Sequence, residues 1–159
     1  MRIRVIAAGK LKEEYFRAAC KEYEKRLSAY ADVEIIEVKD EAVPENASEA
    51  EVRKAVVTEG KRMLEKLRPQ DYVIALDLKG ISFDSVEMAG ILERRMNEGK
   101  SSICFLIGGS SGLSEEVLSR AKERWSFSKL TFPHQLARVI LLEQVYRSFR
   151  ILHHEPYHK

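Results

Sequence analysis

The chain has 159 residues, is 45% hydrophobic, and carries 27 Lys and Arg against 25 Asp and Glu, a formal charge of +2. This content predicts one globular domain over residues 1–159 and rules out a chain-wide basic coat. The basic excess is local: from Ser101 onward eight basic residues stand against five acidic ones, and all four histidines lie there. Such a balance permits phosphate contacts without requiring them.

Arg2 to Ala8 is a short apolar-rich run closed by Gly9, which reads as a strand. Leu11, Tyr15, Phe16, Ala19, Tyr23 and Leu27 recur at three- and four-residue steps and predict a helix with one buried face. Asp32 to Val38 alternates like a half-buried strand, completing a βαβ unit. Lys39 to Ser48, with Pro44 inside it, reads as a loop, and a second helix is expected from Glu49 to Leu67, before Pro69.

Tyr72 to Leu78 predicts a third strand, Ser85 to Asn97 a helix closed by Gly99, and Ser102 to Ile107 a fourth, almost wholly apolar strand. A short helix follows the glycine cluster at 108–112, and Trp125 to Phe132 reads as a strand or extended loop. The last helix runs from about His134 to Leu152. Its apolar set, Leu136, Val139, Ile140, Leu141, Leu142, Val145, Tyr146, Phe149 and Leu152, is broader than one buried stripe and predicts a second buried surface, most economically a homodimer interface. Strands alternating with helices indicate an α/β fold: a mostly parallel sheet with helices on both faces.

No apolar run approaches the roughly 18 residues of a membrane span, and the stretch in MRIRVIAAGK is too short for a signal peptide. Cys20 and Cys104 show no CxxC spacing and read as reduced thiols. A cytoplasmic location is expected by default.

Gly108-Gly109-Ser110-Ser111-Gly112 follows a buried strand and precedes a helix, where open α/β sheets present ligands. It lacks the Gly-Lys-Ser/Thr ending of a P-loop and the Gly-x-Gly-x-x-Gly spacing of a dinucleotide fingerprint. It satisfies Gly-x-Ser-x-Gly, with Ser110 at the nucleophile position and Glu143 and His153 following in the order of a hydrolase triad. Against that reading, ten residues of one helix, about 15 Å, separate Glu143 from His153. Alternatively, the glycines let backbone groups approach an adenine or ribose closely, or form only a turn.

The ending His153-His154-Glu155-Pro156-Tyr157-His158-Lys159 gathers three histidines, an acid and a phenol. Terminal residues are commonly idle. Adjacent histidines in an extended tail point apart, and no cysteine or second acid cluster completes a metal shell, so no metal is expected. Proton handling and RNA contact suit this mixture better.

Several ordered motifs carry a resemblance: Phe105-Leu-Ile-Gly-Gly-Ser-Ser-Gly-Leu113, Ser128-Lys-Leu-Thr-Phe-Pro-His-Gln-Leu-Ala-Arg138, Leu142-Glu-Gln-Val-Tyr-Arg-Ser-Phe-Arg150 and His154-Glu-Pro-Tyr-His158. With Ile6-Ala-Ala-Gly-Lys10 and Ala75-Leu-Asp-Leu-Lys-Gly80, they extend over essentially the whole chain, which resembles the ribosomal RNA large-subunit methyltransferase H family of the SPOUT superfamily.

The resemblance implies a SPOUT α/β fold with a C-terminal trefoil knot, a homodimer, and S-adenosylmethionine bound in the knot loops. It also implies methylation of N3 of a pseudouridine in large-subunit (23S) ribosomal RNA, on the assembled ribosome. Carried onto this chain, it places cofactor contacts at Leu76, Gly108, Phe127, Ser128, Lys129, Leu130, Thr131 and Phe132. Because a uracil-type N3 proton is weakly acidic, a group that removes it or stabilises the anion is expected; His158, with Tyr157 positioning the base, is the candidate. Arg138, Arg147, Arg150 and Lys159 are candidate phosphate contacts. Two other classes compete: a ribosome-binding factor that transfers no methyl group, and a serine hydrolase built on Ser110.

Overall fold

The computed structural model describes residues 1–159. Its elements are β1 (Arg2–Ala8), α1 (Glu14–Leu27), β2 (Asp32–Val38), α2 (Glu49–Leu64), β3 (Asp71–Ile81), α3 (Ser85–Asn97), β4 (Ser102–Ile107), α4 (Glu115–Arg120), β5 (Glu123–Trp125) and α5 (His134–Leu152). The strands form one sheet in the order β2-β1-β4-β3-β5, and every bonded pair is parallel. Each connection between successive strands must therefore cross the sheet, and a helix does so each time.

Period-two alternation in β1 and β4 builds two cores. Ile3, Val5, Ala7, Ile103, Phe105 and Ile107 face α1, α3 and α5; Ile6, Ala8, Cys104 and Leu106 face Met63 of α2 and Val117 of α4. Both faces are covered, so the central strands are apolar throughout rather than alternating with polar residues. Side-chain caps start the internal helices. Ser48 accepts the Glu51 amide, and Asp84 and Glu87 form a reciprocal capping box at the start of α3.

Three boundaries differ from the sequence reading. α2 stops at Leu64, after which Leu67 closes a tighter turn back to the Leu64 carbonyl before Pro69. β3 runs past Lys79-Gly80 to Ile81, which bridges to Trp125 after a register shift. Only Glu123–Trp125 is strand in the next segment; Ser126 to Phe132 is loop. The broad apolar set of α5 is used largely within the chain, because the helix packs on the sheet and between α1 and α3, burying Leu141, Leu142, Val145, Tyr146 and Phe149. Leu136, Val139 and Ile140 remain half-buried.

No helix is long and apolar enough to cross a membrane. No group of three or more His, Cys, Asp or Glu is placed to hold a metal ion.

Candidate cofactor cavity and the C-terminal tail

The C-terminal ends of β3, β4 and β5 open into a cavity of about 820 Å³, within the range that holds a cofactor-sized ligand. Leu76, Asp77 and Leu78 line it from β3, and Ile107 to Leu113 from β4 and the glycine turn. Trp125 to Ser128 and Leu130 to Phe132 follow β5, and Pro133, His134 and Ala137 come from the start of α5. The site residues expected here are thus brought together, except Lys129, which sits in the loop without lining the cavity. Trp125, Asp77 and His134 are lining residues that the sequence reading did not single out.

Close backbone approach shapes two of these walls. A Cβ on Gly108 would lie 2.6 Å from the Gly112 carbonyl carbon and oxygen, so only glycine lets the 108–112 turn close on itself. The Gly112 amide donates to the Gly109 carbonyl at 3.1 Å, and the buried Glu59 carboxylate, held by the Glu41 amide at 2.8 Å, packs beneath Gly109. Burial and the neighbouring Asp40 and Glu41 raise the Glu59 pKa above the usual carboxylate range. A Cβ on Gly80 would stand 2.6 Å from the Arg124 carbonyl, because β5 passes directly against the end of β3 there.

Trp125, in the cavity wall, is held by a polar clamp on Glu123. Glu123 accepts hydrogen bonds from Arg95 at 2.6 Å, Tyr72 at 2.7 Å and Trp125 Nε1 at 3.2 Å. Burial alone would raise the Glu123 pKa, but these donors hold it below the usual range. Phe83 and Phe105 meet the Trp125 ring edge to face at 4.8 and 5.5 Å. In the loop, Ser126 donates to the Ser128 carbonyl at 3.0 Å and Ser128 Oγ accepts the Leu130 amide at 2.9 Å.

The tail lies elsewhere. Tyr157 donates to Glu143 at 3.1 Å, Arg147 covers the Tyr157 ring at 4.7 Å, and Arg147 Nη1 is 3.2 Å from His158 Nδ1. Burial, then Glu143, push the Tyr157 pKa up to about 12. Arg150 holds the Glu155 carboxylate and donates to the Pro156 carbonyl and the Tyr30 hydroxyl; Tyr30 also donates to Glu155 at 2.9 Å. Tyr30 precedes β2, so the tail is anchored at the N-terminal strand ends, a strand length of about 20 Å from the cavity.

One expectation is corrected and one rival reading fails. Arg138 is not presented to phosphates: it is 1% exposed, ion-paired to Glu37 at 2.6 Å and bonded to the Gly9 carbonyl at 3.1 Å. The hydrolase triad does not assemble either. Ser110 lines the cavity, but Glu143 is bound to Arg147 and Tyr157 and His153 packs on Tyr30, both outside it. Arg147 and Arg150 are paired with Glu143 and Glu155, while Lys159 is exposed.

An open parallel sheet with a crevice at its C-terminal strand ends defines a ligand-binding α/β protein. The family model described as "Predicted SPOUT methyltransferase" matches residues 1–158. Proteins named Ribosomal RNA large subunit methyltransferase H from Clostridium botulinum strain Langeland and from Carboxydothermus hydrogenoformans are 55% and 52% identical to it over 159 residues, all of this chain and all of each relative. A solved structure of a probable methylase family protein from Haemophilus influenzae Rd KW20 aligns with TM-score 0.56 at 13% identity, covering 99% of this chain and 70% of that one, a likeness of fold. The chain belongs to the SPOUT methyltransferase family.

Proposed function

We propose that this chain is an S-adenosylmethionine-dependent methyltransferase acting in the cytoplasm on N3 of a pseudouridine in large-subunit ribosomal RNA, on the assembled ribosome. The observation that carries this reading is end-to-end identity above one half with proteins named Ribosomal RNA large subunit methyltransferase H. The cavity fits the cofactor: Gly108 exposes backbone without a side chain, while Leu76, Leu130 and Phe132 offer apolar cover for an adenine. Bound there, the cofactor supplies an activated methyl group, and the protein's task is alignment with the attacking nitrogen.

Membership of the SPOUT methyltransferase family supports a trefoil knot around the cavity. A homodimer explains two further features. Leu78 and Leu130, 57% and 69% exposed, stand at the cavity mouth as apolar side chains in want of cover. The tail, anchored far from its own cavity, is then free to serve the partner's, bringing Tyr157 and His158 to the target base. Lys159, with the outer edges of Arg147 and Arg150, would contact RNA phosphates.

Methyl transfer from labelled S-adenosylmethionine to ribosomes, isolated subunits and naked RNA, with mapping of the labelled nucleotide, tests this. Label at N3 of one pseudouridine is expected. Cofactor and ribosome binding without transfer would make the chain a binding factor instead. Removing Tyr157 to Lys159 should abolish transfer and spare cofactor affinity; unchanged transfer would take the tail out of the reaction.

A further inference from the structure

Of the residues lining the cavity, only Asp77 and His134 carry ionisable side chains. His134 begins α5, directly after the loop that follows β5. Its Nε2 lies 3.6 Å from the point a Cβ on Gly9 would occupy, and Asp40 Oδ2 lies 3.4 Å from the same point. The β1–α1 connection, the β2–α2 connection and the start of α5 therefore converge on this imidazole. The charged groups around it are Asp40, Lys12 and Arg138, with Asp77 elsewhere on the cavity wall. Burial, together with Arg138 and Lys12, holds its pKa below the usual histidine value against the opposing pull of Asp40. At neutral pH the ring is uncharged and one nitrogen keeps a lone pair.

The tail histidine is differently placed. An arginine can only donate and stays protonated, so Arg147 Nη1 beside His158 Nδ1 leaves the lone pair on Nδ1 and the proton on Nε2. The outward-facing nitrogen of His158 is then a hydrogen-bond donor, suited to a carbonyl oxygen gaining negative charge.

We propose that His134 is the catalytic base for the methyl transfer and that His158 of the partner tail donates a hydrogen bond to the developing anion. This rests on the functional reading above. The N3–H bond breaks with its proton passing to the imidazole, and the N3 electron pair bonds the methyl carbon as the thioether departs with the sulfur–carbon pair. The imidazolium afterwards returns its proton to solvent, and no other reactant is needed.

The test uses the full-length protein with ribosomes as substrate, comparing wild type with His134→Gln, His134→Ala and His158→Gln. Cofactor affinity is measured by calorimetry, single-turnover transfer across the acid range, and the His134 titration by NMR. With His134 replaced, affinity should stay within about threefold while the rate falls roughly 100- to 10,000-fold. The acid limb of the wild-type profile should match the NMR titration of His134, vanish in both His134 variants and persist in His158→Gln. A His134→Gln enzyme that keeps its rate and acid limb overturns the proposal, as does a rate loss fully explained by lost cofactor affinity. A wild-type protein that methylates no RNA overturns the functional reading, and this inference falls with it.

Discussion

The two ends of the sheet are built from different materials. At the N-terminal strand ends charge does the joining: the buried Arg4 binds Glu34, Asp71 and the Lys66 carbonyl, Ser102 donates to Asp71, and Arg68 reaches Glu34. At the C-terminal ends of β3, β4 and β5 the chain leaves glycine turns, a serine-rich loop and apolar walls, with one imidazole and one carboxylate in the lining. Specified polar pairs fix one end so that the other can stay concave and ligand-accessible. Stability and chemistry are thereby assigned to opposite ends of the same strands.

If that separation is real, substitutions at the two ends should fail in different assays. The largest effect is expected at the charged end. Arg4→Ala strips the fully buried Asp71 of its counterion and should cost about 3–5 kcal/mol in urea unfolding, without altering cofactor affinity in protein that remains folded. At the open end, Gly108→Ala should displace the 108–112 turn and lower methyl transfer roughly 100-fold, an effect of about 2.7 kcal/mol read in kinetics. Equal loss of stability and activity in both variants would show that the ends are not independent.

Asp84→Ala, which removes the capping box of α3 at a residue outside the cavity lining, should cost about 1 kcal/mol of stability and leave transfer unchanged. A further effect is alkaline. Burial pushes the thiols of Cys20 and Cys104 up to about 11 and about 12. From about pH 9 the unfolded chain loses thiol protons that the folded chain keeps, so stability falls as pH rises, until the folded thiols ionise too. The urea midpoint should slide downward from about pH 8 to about pH 10.5, and Cys20→Ala with Cys104→Ala should flatten that slope.

The fold was legible wherever its signal is local. β1, β2, α3 and β4 are bounded by glycines, caps and apolar runs that lie within the elements themselves. The extension of β3 to Ile81 was not, because it depends on a non-local bridge to Trp125 and an amide from Ser126. Arg138 reads from sequence as a surface cation, and its burial against Glu37, about a hundred positions away, is a tertiary fact. The ligand loops are marked by glycines and by the family motifs, whereas no glycine marks His134. Its signal was present, a histidine at a helix start directly after a ligand loop, but nothing local distinguishes it from the three histidines of the tail.

Strand β4 sits at the centre of the sheet, paired to β1 on one side and β3 on the other, although it is the fourth strand made. β1 and β3 share no backbone pairing, so a chain growing from its N-terminus has no strand to join its early βαβ unit to β3 within the sheet until Ile107 has been synthesised. The α1–α3 side of the core stays open until α5 follows. Nearly the whole polypeptide must leave the synthesis machinery before its sheet can close, which makes folding late, governed by distant pairings, and dependent on shielding of apolar strands in the nascent chain.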